Sequence, residues 1–133
     1  MNVLIDENLP LKFTKLLEIV GNDNHGYFHS STLEIRGIPD KEWIMGLQGK
    51  REGKWIIITQ DRNIKRNPNE RKAWKKSGHI MFFLVRSWQS IPLYQQCLKF
   101  LTAWPHIETQ GNRASPGDEF RVKQNGKLEK VLD

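Results

Sequence analysis

Three short stretches of this chain are apolar without interruption: Val3-Leu4-Ile5, Trp55-Ile56-Ile57-Ile58-Thr59 and Ile80-Met81-Phe82-Phe83-Leu84-Val85. A strand with one face in water alternates polar and apolar residues, so runs with no polar face belong to strands covered on both sides, as in parallel sheets. The three consecutive isoleucines favour the extended state, because β-branched side chains pack well on a pleated surface.

The segments between these runs carry helical spacing. After Pro10, which the first turn of a helix tolerates, Leu9, Phe13, Leu16, Leu17 and Val20 recur at i, i+4, i+7, i+8 and i+11, ending near Gly21. His25 to His29 is a weaker candidate strand. Gly37, Pro39 and Asp40 precede a second helix whose Trp43, Ile44 and Leu47 face the core. Asn67, Pro68 and Glu70 form a capping-box start for a third helix, which Gly78 ends. From Ser90 the stripe Leu93, Cys97, Phe100, Leu101 and Trp104 predicts a fourth, stopped by Pro105. This alternation predicts the α/β class, with a mostly parallel sheet in a three-layer α/β/α arrangement. Beyond it, Gly111, Ser115, Pro116 and Gly117 mark a loop. Asn125-Gly126 between Phe120-Arg121-Val122 and Leu128-Glu129-Lys130-Val131 predicts a β-hairpin, either docked on a sheet edge or ordered by a partner. The expected organisation is a domain over residues 1–110 and a hairpin extension over 111–133.

At 133 residues, one domain with one main core is expected. No apolar run approaches the roughly 20 residues of a bilayer-spanning helix. The first run meets Asp6 and Glu7 too soon for a signal peptide, so the expected location is the cytoplasm, with no membrane partner. Cys97 is the only cysteine, which excludes an intrachain disulfide and a cysteine zinc site. The net charge of +6 is unevenly distributed: residues 61–76 hold 7 Lys/Arg against 2 Asp/Glu, while residues 1–60 hold 7 against 8. Arg62, Lys65, Arg66, Arg71, Lys72, Lys75 and Lys76 form one basic block, which suits a phosphate backbone or simply a solvated helix face.

Ligands of open α/β sheets bind beyond the carboxyl ends of the strands, and two of the apolar runs are followed closely by aspartates, Asp6 next to Ile5 and Asp61 two residues after Thr59. Asp40 and Glu42 open the second helix and are expected to return to the same edge. Clustered carboxylates raise one another's pKa values, a penalty that a divalent cation removes. Oxygen ligands without His or Cys indicate Mg²⁺ or Mn²⁺. Taken singly, Asp6 and Asp61 also suit turns, Asp40 an N-cap, Glu7 and Glu42 helix first turns, and Asn63 a turn.

The segments MNVLIDENLP, GIPDKEWI, WIIITQDRNIKRNP, IMFFLVRSW and IPLYQQCLKFLTAWP, in that order over about residues 1–110, resemble the PIN-like branch of the PIN-domain superfamily, in particular its VapC-type toxins. The paired DENLP and T-x-D-R signatures carry the resemblance. It implies a divalent-metal-dependent endoribonuclease, often the toxin of a toxin–antitoxin pair, with RNA as substrate, a protein antitoxin as partner and a homodimer as one expected assembly. It also implies Asp6 as first metal ligand, Asp40 as second with Glu42 as the alternative, Asp61 as third, and Asn63 where a fourth acid often stands.

Arg62, Lys65 and Arg66 follow Asp61 closely enough to hold the RNA backbone or neutralise a phosphate in transition, with Arg71 and Lys72 extending that surface. Trp43, Trp55 and Trp104 fall on apolar stripes, whereas Trp74 and Trp88 lie in basic or loop contexts, and Trp88 is a candidate base-stacking residue. The four histidines show no ligand spacing, and Cys97 falls on the helix stripe. Two other functions compete: a noncatalytic RNA-binding module, and a small-substrate phosphohydrolase, which the lack of a phosphate-cradling glycine loop disfavours.

Overall fold

The structure is a computed structural model that describes residues 1–33, 46–47, 52–60 and 68–132, with the side chains of Glu70, Arg71, Ala73 and Trp74 outside that description. In chain order the elements are β1 (Asn2–Ile5), α1 (Leu11–Val20), β2 (Gly26–His29), β3 (Trp55–Thr59), α2 (Pro68–Ser77), β4 (Ile80–Leu84), α3 (Leu93–Arg113), β5 (Glu119–Val122) and β6 (Leu128–Lys130). Short 3₁₀ turns at Ser30–Thr32 and Arg86–Ser90 follow β2 and β4. The six strands form one sheet in the order β2-β1-β3-β4-β5-β6, parallel except for the antiparallel β5–β6 pair. The α/β class expected from the apolar runs is therefore the observed one.

Each of those runs serves both faces of the sheet. Val3, Ile5, Ile56, Ile58, Ile80, Phe82, Leu84, Phe120 and Val122 contribute to one apolar cluster, while Leu4, Trp55, Ile57, Met81 and Phe83 contribute to a second with Leu47. This is the two-residue period of a strand, with apolar side chains on either side. Pairing keeps it in register, since Val3 lies opposite Ile56 and Ile56 opposite Ile80. On the larger face α1 inserts Phe13 and Leu17, and α3 inserts Phe100, Ala103, Trp104 and Ile107. Phe13 and Phe100 stack at 4.3 Å between ring centroids. Both helices cover this face although β1→β2 and β4→β5 step in opposite directions across the sheet, so their crossovers differ in hand.

Several expectations need correction. Pro105 does not stop α3, which runs on to Arg113 and takes Gly111 with it. An internal proline removes one helical hydrogen bond and costs about 3 kcal/mol or more. Tertiary contacts on both sides of it offset this. Trp104 and Ile107 are buried, and Lys54 Nζ donates to the carbonyl oxygens of Gly111, Asn112 and Ala114 at 2.9, 3.1 and 3.4 Å, satisfying the end of the helix. Gly111 is there for clearance, because a Cβ at this position would stand 3.2 Å from Ile56 Cγ2 and 3.3 Å from Met1 Cε. The same helix begins at Leu93 after Pro92, not at Ser90, and its buried stripe is displaced toward Ile107, leaving Leu93 exposed. On α1, Val20 falls outside the buried stripe.

The hairpin adds to the sheet edge, β5 pairing with β4 so that Phe82 faces Phe120. Its turn closes with Gly126 N donating to Lys123 O at 2.9 Å, and Gly126 adopts φ +85°, which glycine enters without penalty. The expected second helix lies largely outside the described residues. Gly46 and Leu47 are helical there, and Leu47 is fully buried.

Candidate active site

In this strand order β1 lies between β2 and β3, so the chain leaves β1 to one side and later resumes on the other. Such a reversal opens a crevice beyond the carboxyl ends of the two central strands, where doubly wound sheets take their ligands. Asp6 stands at that point. Its backbone N–H continues the β1–β3 ladder by donating to Ile58 O at 3.0 Å, and its carbonyl accepts from Leu9 N at 2.9 Å to close a turn.

That turn delivers the DENLP residues to different tasks. Leu9 enters the core, and Pro10 precedes the first turn of α1. His29 at the end of β2 holds the turn from the other side: its Nε2–H donates to Leu9 O at 3.0 Å while Nδ1 accepts from Ser31 N at 3.3 Å. A carbonyl partner on one ring nitrogen and an N–H donor on the other select the Nε2–H tautomer.

The Asp6 side chain is only 6% exposed and is oriented by three strand ends. Glu7 N donates to Oδ1 at 2.7 Å, Ser30 Oγ to Oδ1 at 3.4 Å, and Thr59 Oγ1 to Oδ2 at 2.8 Å. These donors fix the orientation of both carboxylate oxygens at a site largely removed from water. Asn8 crosses the same gap, with Nδ2 donating to Thr59 Oγ1 at 3.3 Å and Oδ1 accepting from Gln60 N at 3.4 Å. The DENLP and T-x-D-R signatures thus meet through Asp6, Asn8 and Thr59.

Of the expected site residues, Asp6 is placed at this edge. Asp40, Glu42, Asp61, Asn63, Arg62, Lys65 and Arg66 lie outside the described residues. Arg71 belongs to α2, and Lys72 is exposed on the same helix. Among the described residues no group of three or more His, Cys, Asp or Glu side chains is arranged to hold a metal ion. Trp88 is not available for base stacking. It is 1% exposed in the main core, with Nε1 donating to Val122 O at 3.0 Å, because the turn after β4 folds it inward under the added hairpin. Trp55 and Trp104 are core residues, and Cys97 packs half-buried at the core margin.

Three residues of the site were not picked out as functional from sequence. Asn8 and Thr59 stand inside the two signatures, where they read only as a loop residue and a strand end. Ser30 carries no local signal, because what makes it relevant is the pairing of β2 beside β1.

A buried carboxylate held by donors from three strand ends, at the point where strand order reverses in a mostly parallel sheet, stands where α/β proteins of this class take their ligands. Residues 1–86 match the family model described as PIN like domain, and the chain belongs to that family, whose members are generally nucleases. No curated protein and no solved structure matches the chain. Among the described residues no helix is long and apolar enough to cross a membrane.

Proposed function

We propose that the chain is a Mg²⁺- or Mn²⁺-dependent endoribonuclease acting as the toxin of a toxin–antitoxin pair in the cytoplasm. The observation that supports it best is the Asp6 carboxylate, buried and held by hydroxyl and amide donors from three strand ends at the switch point. Its hard oxygens suit a divalent cation of this kind. Asp40 or Glu42, together with Asp61, would complete the ligand set, with Asn63 beside them as an uncharged neighbour.

A cation bound there supplies Lewis acidity toward the scissile phosphate and lowers the pKa of bound water. The protein's own part is to hold Asp6 in place through Thr59, Ser30 and the Glu7 amide. Arg62, Lys65, Arg66, Arg71 and Lys72 bind the RNA backbone in this assignment and offset the charge that builds on phosphate. In this assignment residues 1–110 carry the nuclease chemistry, and residues 111–133 finish α3 and add β5 and β6 to the sheet. The partners are single-stranded RNA and a protein antitoxin, with a homodimer as the assembly.

The test is cleavage of a single-stranded RNA by the purified chain with Mn²⁺, with Mg²⁺ and with a chelator. Cleavage that requires the cation supports the assignment. RNA binding that weakens with salt but produces no cleavage in either metal would establish a noncatalytic RNA-binding module instead.

A further inference from the structure

The hydrogen bonds around Thr59 have a direction. A hydroxyl rotates freely, and among the described residues Thr59 Oγ1 meets Asn8 Nδ2 at 3.3 Å and Asp6 Oδ2 at 2.8 Å. The Asn8 amide is itself oriented, because its Oδ1 accepts from the backbone N–H of Gln60 at 3.4 Å. With the amide oxygen committed to that donor, its NH₂ group faces Thr59. Thr59 Oγ1 must accept there, so its single proton goes to Asp6. The chain reads Gln60 N–H to Asn8 Oδ1, Asn8 N–H to Thr59 Oγ1, and Thr59 O–H to Asp6 Oδ2.

We infer that Asn8 is a positioning residue for Asp6 and acts through Thr59, keeping the threonine hydroxyl aimed at the carboxylate that receives the cation. Resting on the nuclease assignment above, this gives Asn8 a task that its solvent-facing position would not suggest. The same bonds tie the loop after β1 to the end of β3, so the carboxylate and the residues entering the T-x-D-R segment are held in one frame. Partners of this kind orient metal ligands and change metal affinity by roughly 10- to 100-fold when removed.

A readout independent of catalysis is Mn²⁺ binding to the purified full chain, followed by the electron paramagnetic resonance signal of free Mn²⁺, with thermal unfolding by circular dichroism as the folding control. The variants are Asn8→Ala, Thr59→Val, Thr59→Ser and the double variant Asn8→Ala/Thr59→Val. Valine keeps the shape of threonine without the hydroxyl, and serine keeps the hydroxyl. Asn8→Ala and Thr59→Val are each expected to weaken Mn²⁺ binding, by roughly 10-fold for the latter and less for the former. Thr59→Ser should bind as the unaltered chain does, and the double variant no more weakly than Thr59→Val, since residues acting in series are not additive. Losses that multiply in the double variant, unchanged binding in Asn8→Ala, or a Thr59→Ser as weak as Thr59→Val would each overturn the inference while leaving the nuclease assignment standing. Failure of the unaltered chain to bind Mn²⁺ would overturn both.

Discussion

Thr59 Oγ1 donates to Asp6 Oδ2 at 2.8 Å although 53 positions separate the two residues in the chain. The contact exists because β1 and β3 are adjacent and in register, with Ile5 opposite Ile58, so the next residue on each strand meets its counterpart at the same edge. The strand pairing that builds the core also sets the direction of the carboxylate.

Asp6→Asn keeps the size of the side chain and removes its charge. RNA cleavage in Mn²⁺ should fall by about 10²-fold or more while the protein stays folded, because the amide oxygen still accepts from Ser30 and the Glu7 N–H and the Thr59 hydroxyl turns to accept from the new NH₂ group. A fluorogenic RNA assay, paired with circular dichroism, measures this. Full activity in the variant would remove Asp6 from the ligand set.

Lys72 is exposed on α2, next to the block that leads from Asp61. If it contacts one RNA phosphate, Lys72→Ala should weaken binding uniformly across RNA sequences. The slope of log affinity against log salt should become shallower by about 0.7, the value for one contact to a single strand. Titrations at several salt concentrations test it, and an unchanged slope would exclude Lys72 from the interface.

Trp88→Ala should destabilise the fold by about 3 to 5 kcal/mol, through the cavity it leaves and the loss of the bond to Val122 O. RNA affinity of the molecules that remain folded should not change. Urea unfolding and a binding titration separate these effects, and a stable variant with weakened RNA binding would return Trp88 to the surface role that its sequence context suggested.

Pro105→Ala restores a backbone N–H inside α3, at a position exposed to solvent. Against the missing helical bond stands the proline's restraint on the unfolded chain, worth up to about 1 kcal/mol. A net stabilisation of about 1 to 2 kcal/mol in urea unfolding is expected. Loss of stability would show that the proline's restraint on the unfolded chain outweighs the missing helical bond.

The Tyr27 phenol has its pKa raised above the usual 10.0, first by burial and then by the negative charge of Glu108. The folded protein therefore holds this proton to higher pH than the unfolded chain does. Its contribution to stability is fully present below about pH 10 and declines as pH rises from there through the raised folded value. Unfolding midpoints between pH 8 and 11 should show this decline, and Tyr27→Phe should reduce it. An identical alkaline loss in the variant would assign the effect to other groups.

Much of this protein is legible in one dimension. Apolar runs with no polar face marked β1, β3 and β4 because burial on both sides leaves no position for a polar side chain. Pro10 and Gly21 bracketed α1 through backbone preferences that act locally. The acids at the ends of the runs suggested an edge site, since parallel strands bring their ends together, and the family signatures added the chemistry that composition alone does not specify.

Tertiary structure decided the rest, wherever the deciding partner is remote in the chain. Pro105 reads as a helix stop until Ile107 is buried and Lys54 caps the far end, together outweighing a local penalty. Trp88 reads as a surface aromatic until the hairpin strand at Val122 takes its N–H. Asn8 and Thr59 read as a loop residue and a strand terminus until strand order places them around Asp6. Spacing along the chain records local preference, but the direction of a hydroxyl proton depends on which residues the sheet brings to its edge.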